Sequence, residues 1–166
     1  MTNPDRGVQA VLNRLTHKLE KDSLVYTSLQ ELRTLLNVDR VVLYYFYSQW
    51  KGQVTFEAIG DPKYSIIGST GPDECFNAMY AEMYLAGRVK ATVDIETEPI
   101  SECHREFLRN LQVLANLVVP ILPNGKLWGL LIAHHCQDAH IWEPADIEAM
   151  QRHSKYLTNI PSIYES

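Results

Sequence analysis

The sequence predicts one α+β (mixed α/β) domain: a central antiparallel sheet, helices packed on one of its faces, and a loop-and-helix pocket over the other. Three observations lead there. Apolar residues recur at helical spacing over the first 36 residues. Two apolar tracts flank the turn signal Pro123-Asn124-Gly125. Between these regions, glycines and prolines punctuate a stretch that holds room for only short helices.

Taken in order, Val8, Val11, Leu12, Leu15 and Leu19 mark a first amphipathic helix, and Leu29, Leu32, Leu35 and Leu36 a second. The break near Asp22 and Ser23 supplies a cap for the second helix. "RVVLYYFYSQ" (40–49) is a strand that turns at Trp50–Gly52 into "QVTFEAIG". Residues 60–73, with three glycines and two prolines, are irregular loop. A helix is expected from about Glu74 to Ala86, with Gly87 stopping it, and another from near Ser101. The hairpin "NLVVPILPNGKLWGLLIAHHC" follows, and Pro144 opens a closing helix in "WEPADIEAMQRHSKYL". The half-loop middle segment is where a ligand pocket is expected.

At 166 residues with no repeat or linker, the chain (1–166) is read as a single domain. A net charge of −5 and a pI near 5.6, without any basic run, argue against nucleic acid. No apolar stretch reaches the roughly 20 residues of a membrane span. The start lacks the apolar block of a signal peptide. Three cysteines without such a signal suggest free thiols in a reducing compartment, hence a cytoplasmic protein.

The chemistry-bearing residues gather around those cysteines. With Ser101 as N-cap, Cys103 is the second residue of its helix, where unpaired amides and the helix dipole favour a thiolate. His104 points about 100° further around that helix. The pair suits nucleophilic catalysis, a covalent ligand anchor or redox sensing, and equally a plain packing role. Cys75 repeats the arrangement behind Asp73, which either caps the helix or accepts hydrogen bonds from ligand N–H groups in a cavity. In "AHHC", His134 and Cys136 face one way along a strand and His135 the other, so a four-ligand zinc site there needs distant help. Arg88 and Lys90 can hold a carboxylate or simply meet solvent. Signatures of nucleophile elbows, P-loops, dinucleotide folds and zinc proteases do not occur.

"SECHREFLRNLQVLANLVVPIL", then "GKLWGLLIAHHC", then "WEP" before a helix resemble the bilin-binding GAF domains of cyanobacteriochromes, phytochrome-related photoreceptors, from about Asp22 to Ile160. "DECF" (Asp73, Glu74, Cys75, Phe76) matches the D-x-C-F motif of a two-cysteine subgroup. The resemblance implies a GAF fold and a sensor, not an enzyme. It implies a thioether from Cys103 to ring A of phycocyanobilin or its isomer phycoviolobilin, with His104 against the ring nitrogens. Asp73 would accept from pyrrole N–H groups, with Phe76 beside it in the motif, and Arg88 would hold a propionate. One histidine of the pair His134 and His135, with His134 favoured, would approach ring D. Cys75 would add reversibly to the central methine bridge, so that light-driven Z/E isomerisation of ring D switches a violet- or blue-absorbing state to a green-, teal- or orange-absorbing one. The terminal helices, about 5–21 and 144–160, would signal to an output domain of histidine kinase, cyclase or chemoreceptor type, or form a homodimer. Pro99 stands where a glycine is common and Leu114 where many relatives carry a basic residue, which removes one expected propionate contact. Two rival readings are a GAF domain binding a cyclic nucleotide or similar ligand noncovalently, and a thiol-based redox GAF enzyme.

Overall fold

A computed structural model describes residues 5–71 and 78–166. Helix α1 (Arg6–Glu20) is capped by Asp5, whose carboxylate accepts from the Val8 amide. Helix α2 (Ser23–Leu36) is capped by Asp22, as its position in the sequence suggests, and ends at Asn37 in the left-handed conformation. Strands β1 (Arg40–Ser48) and β2 (Lys51–Ile59) form a hairpin whose pairing persists to Ser48 and Lys51. The turn is therefore tighter than the Trp50–Gly52 expectation, with only Gln49 and Trp50 between the strands. In the middle segment, α3 (Ala78–Leu85) ends where Gly87 takes φ +92 and the Arg88 amide reaches back to Met83. The short strand β3 (Lys90–Thr92) was not legible in the sequence: three residues carry no period of their own. Helix α4 (Glu102–Asn110) follows, then the hairpin β4 (Ala115–Ile121) and β5 (Gly129–His135), then α5 (Pro144–Thr158) and a last turn α6 (Pro161–Tyr164). Between β4 and β5, Asn124 and Gly125 both take positive φ, which the Asn-Gly pair accommodates.

All five strands are antiparallel, in the order β2-β1-β5-β4-β3. Alternation along each strand sends Val41, Leu43, Leu117, Val119, Leu131 and Ala133 to one face. There they pack in a dry core with Leu29 and Leu32 of α2 and Met150 and Leu157 of α5. The opposite face carries two smaller clusters. Ala81 and Tyr84 of α3 lie on Phe46, Val118 and Leu130, while Leu108 of α4 packs with Ile95 and Val113. Helices on one face and a loop-and-helix cover on the other is the architecture the sequence predicts.

Candidate functional site

Between the sheet and the α3–α4 cover lies a cavity; His134, Asn116 and Thr92 line its floor, and Arg40 continues their row beside it. In register across the sheet, Arg40 of β1 pairs with His134 of β5, His134 with Asn116 of β4, and Asn116 with Thr92 of β3. All four are buried, at 0, 3, 6 and 3% exposure. Four buried polar residues in one row are costly for a fold unless each has a partner. The Arg40 guanidinium donates three times: to the Tyr64 carbonyl (2.6 Å), to the Leu111 carbonyl (2.6 Å) and to Nδ1 of His134 (3.0 Å). It thereby ties the sheet to the loop after β2 and to the end of α4. Burial, reinforced by the Arg40 charge, holds the His134 pKa well below its usual value. Asn116 differs: its Oδ1 is buried without a hydrogen-bond partner.

The cavity wall contains the other predicted residues. Ser101 caps α4 by accepting from the His104 amide (3.2 Å), so Cys103 does sit at the second helical position. Cys103 is exposed, while Ser101 and His104 on either side of it line the cavity. Burial first, then Lys90 and Arg88, lower the His104 pKa, so the ring is a neutral partner at neutral pH. Arg88 also lines the cavity, with its guanidinium over the rings of Tyr84 (5.6 Å) and Tyr80 (5.8 Å). No carboxylate partners Arg88 among the described residues, whereas Lys90 is already paired with Glu98. Around Tyr44, which lines the cavity, Gly52 and Gly71 leave the space that its ring occupies; a Cβ on either would fall within 2.2 Å of that ring or its hydroxyl.

The structure separates the two adjacent histidines. His134 faces the cavity; His135 faces away and stacks on His140 at 4.8 Å. Cys136 lies outside this cavity, and burial pushes its thiol up to about 11, which makes it a poor nucleophile. It is the free cysteine among the described residues; Cys103 is disulfide-bonded, contrary to the expectation of free thiols throughout. No cluster of three metal-ligating side chains occurs among the described residues. Asp73, Cys75 and Phe76 lie outside the described residues. Sequence reasoning missed Arg40 and Asn116. The only signal for either was the placement of a charged or polar residue in a strand that is otherwise apolar.

The sheet thus carries helices on one face and, on the other, two short helices over a cavity with polar residues on its floor. Residues 20–157 match the model of the GAF domain, and the chain belongs to that family. It is 42% identical over 153 residues to an uncharacterized protein of Picosynechococcus, covering 92% of this chain and 94% of that one. A putative methyl-accepting chemotaxis protein of Synechocystis is 37% identical over 142 residues, covering 83% of this chain but only 14% of the relative. Among solved structures, the cyanobacteriochrome receptor PixJ superposes with a TM-score of 0.77 at 31% identity, over 89% of this chain and 94% of that one. The blue-light absorbing form of the Thermosynechococcus elongatus PixJ GAF domain gives 0.71 at 30%, over 94% and 90%. The phycocyanobilin-bound GAF domain of a cyanobacterial phytochrome gives 0.75 at 27%, over 99% and 97%. No helix among the described residues is long and apolar enough to cross a membrane.

Proposed function

We propose that this GAF domain is a photosensory module that binds a linear tetrapyrrole covalently. The observation that carries the reading is that one cavity gathers Arg88, His104 and His134, with the Cys103 helix start at its rim. The family's solved neighbours, with their cyanobacteriochrome and bilin-bound members, support it. In this reading the reduced Cys103 thiol forms the thioether to ring A, and the bilin is phycocyanobilin or phycoviolobilin. His104, neutral and flanked by cations, faces the ring nitrogens, and Arg88 pairs with a propionate. His134 serves ring D; His135, on the other face, does not.

The D-x-C-F residues complete the proposal. Asp73 would accept from pyrrole N–H groups beside Phe76, and the Cys75 sulfur would bond to the central methine carbon as a C=C π bond of the bridge breaks and the thiol proton passes to the imine-type pyrrole nitrogen. That addition makes the carbon tetrahedral and splits the conjugated system, which raises the excitation energy into the violet or blue. Isomerisation of ring D strains the adduct; loss of the thiol restores conjugation and longer-wavelength absorption. Helices α1 and α5 pass the change to an output module of histidine kinase, cyclase or chemoreceptor type, or to a second copy. The chemotaxis relative, of which this domain spans a small part, supports such an output. A cytoplasmic setting keeps both thiols available.

The disulfide at Cys103 would by itself favour a thiol-redox GAF domain. That alternative leaves Arg88 and His134 without a role. The deciding experiment expresses the chain with phycocyanobilin, under reductant, and records spectra before and after violet-blue light for wild type, Cys103→Ser and Cys75→Ser. Covalent bilin absent from Cys103→Ser, and a Cys75→Ser variant that keeps its bilin but lacks the blue-absorbing state of wild type, are the expected results. A wild type that attaches bilin yet absorbs only red light ends the second-thiol proposal. No attachment at all ends the photoreceptor reading.

A further inference from the structure

The polar row on the cavity floor has a direction built into it. A guanidinium has donors and no acceptor, so the Arg40–His134 hydrogen bond (3.0 Å) requires an unprotonated Nδ1 on His134. The proton of the neutral ring must then sit on Nε2, the nitrogen left for the cavity. Among the described residues Nε2 makes no hydrogen bond. Arg40 itself cannot easily turn away. It is fully buried, and the Tyr64 and Leu111 carbonyls hold its other two nitrogens at 2.6 Å. Directly across β4, on the same face, the Asn116 side chain is 6% exposed and its amide oxygen has no partner. Opposed residues on one face bring their Cβ atoms to roughly 5 Å. The floor therefore presents one fixed donor beside one unsatisfied acceptor.

We propose that Arg40 is a positioning residue that fixes His134 as an Nε2–H donor, and that His134 and Asn116 together bind the C=O and N–H edge of a lactam. On the bilin reading above, on which the identity of the ligand rests, this lactam is the terminal ring of the tetrapyrrole. His134 donates to its carbonyl oxygen and the Asn116 oxygen accepts from its N–H. Such a pair discriminates as well as binds: a ring lacking either group leaves a buried polar atom unpaired on the protein. Arg40 carries a second consequence. Because the same guanidinium holds the Leu111 carbonyl at the end of α4, movement of His134 is linked mechanically to the helix that bears Cys103.

Two measurements test this. The first needs no ligand: nitrogen NMR of the histidine-labelled apoprotein, with His134 assigned through His134→Gln. The expected result is the Nε2–H tautomer in wild type and in Arg40→Lys, which retains a donor, and exchange between tautomers in Arg40→Met. An Nδ1–H tautomer in wild type overturns the role of Arg40, whether or not the methionine variant folds. The second uses protein loaded with nitrogen-labelled phycocyanobilin and reads the loaded fraction only. One lactam N–H should show the low-field proton shift of a hydrogen bond and lose it in Asn116→Leu. Loaded wild type and Asn116→Leu with the same lactam shifts overturn the Asn116 pairing while the photoreceptor reading survives. A wild type that loads no bilin overturns that reading and, with it, the lactam.

Discussion

The two faces of the sheet are built from the same five strands and obey opposite rules. On the helix face, the buried side chains Val41, Leu43, Leu117, Val119, Leu131 and Ala133 are apolar and pack on others of their kind. On the cavity face, the row Arg40, His134, Asn116 and Thr92 is buried almost as deeply yet polar throughout. One face gains stability from burial, about 1.5–3 kcal/mol for each large aliphatic side chain. The other surrenders part of that gain to hold directed hydrogen-bonding groups beside an empty volume. Alternation along a strand keeps the two rules one residue apart: Ala133 belongs to the core and His134 to the site.

The largest loss of stability should come from the core. Leu131 is fully buried at the centre of the helix face. Leu131→Ala should cost about 3 kcal/mol in urea unfolding of the apoprotein, within the 2–5 kcal/mol usual for a core leucine. A loss under about 1 kcal/mol would mean that this face is not the stabilising one.

Acid sharpens the contrast next. The unfolded-state pKa of a histidine is near 6.5, and burial holds that of folded His134 well below it. Above pH 6.5 both states are neutral and the shift contributes nothing. Below it the unfolded chain takes up a proton that the folded site refuses, so stability falls as pH falls. The slope approaches about 1.4 kcal/mol per pH unit for this one group. The check is the difference between wild type and His134→Gln in unfolding free energy from pH 7 to pH 5, which removes contributions shared by other groups. Parallel curves would show His134 to be protonated in the fold.

Ser101 lies at the rim, between the two regimes. Its hydroxyl satisfies the His104 amide at the start of α4. Ser101→Ala should cost about 1 kcal/mol, and Ser101→Asp should restore it, as N-caps generally behave. An unchanged midpoint for the alanine variant would show that tertiary contacts, not the cap, hold this helix start.

Much of this contrast was legible in the sequence, for a definite reason. Helical and strand periods, Asp22 and Ser101 as caps, Pro144 in the first turn of its helix, Gly87 as a stop and the Asn-Gly turn are local signals, and all of them lie where the structure uses them. Cys103 at the second helical position follows from Ser101 alone. The polar row at the site was not legible. Arg40, Thr92, Asn116 and His134 are far apart in the chain, and only the strand register brings them into line. Register is a property of pairs, set jointly by the hydrophobic alternation of both strands. The same limit applied to His134 and His135: one faces the cavity, but periodicity alone did not say which. β3, too short to show a period, hid the end of the row.

The smallest expected effect is the most telling about that row. Asn116 and Leu117 are neighbours on β4, both buried, and point to opposite faces. Replacing a buried amide whose oxygen is unpaired with an apolar side chain of similar size removes a desolvation penalty while adding contact with Val118 and Ile132 nearby. Asn116→Leu should therefore change apoprotein stability by less than about 1 kcal/mol, and in the stabilising direction if it changes at all. Leu117→Asn, the reverse exchange one residue away, buries an unpaired amide in a dry core and should cost several times more. The two variants carry almost the same atoms on the same strand. If both prove equally destabilising, then Asn116 already has a structural partner and its oxygen is not held ready for a ligand. If they differ in sign, the polar residue is retained on the cavity face despite the stability it forgoes, which is the mark of a group kept for binding.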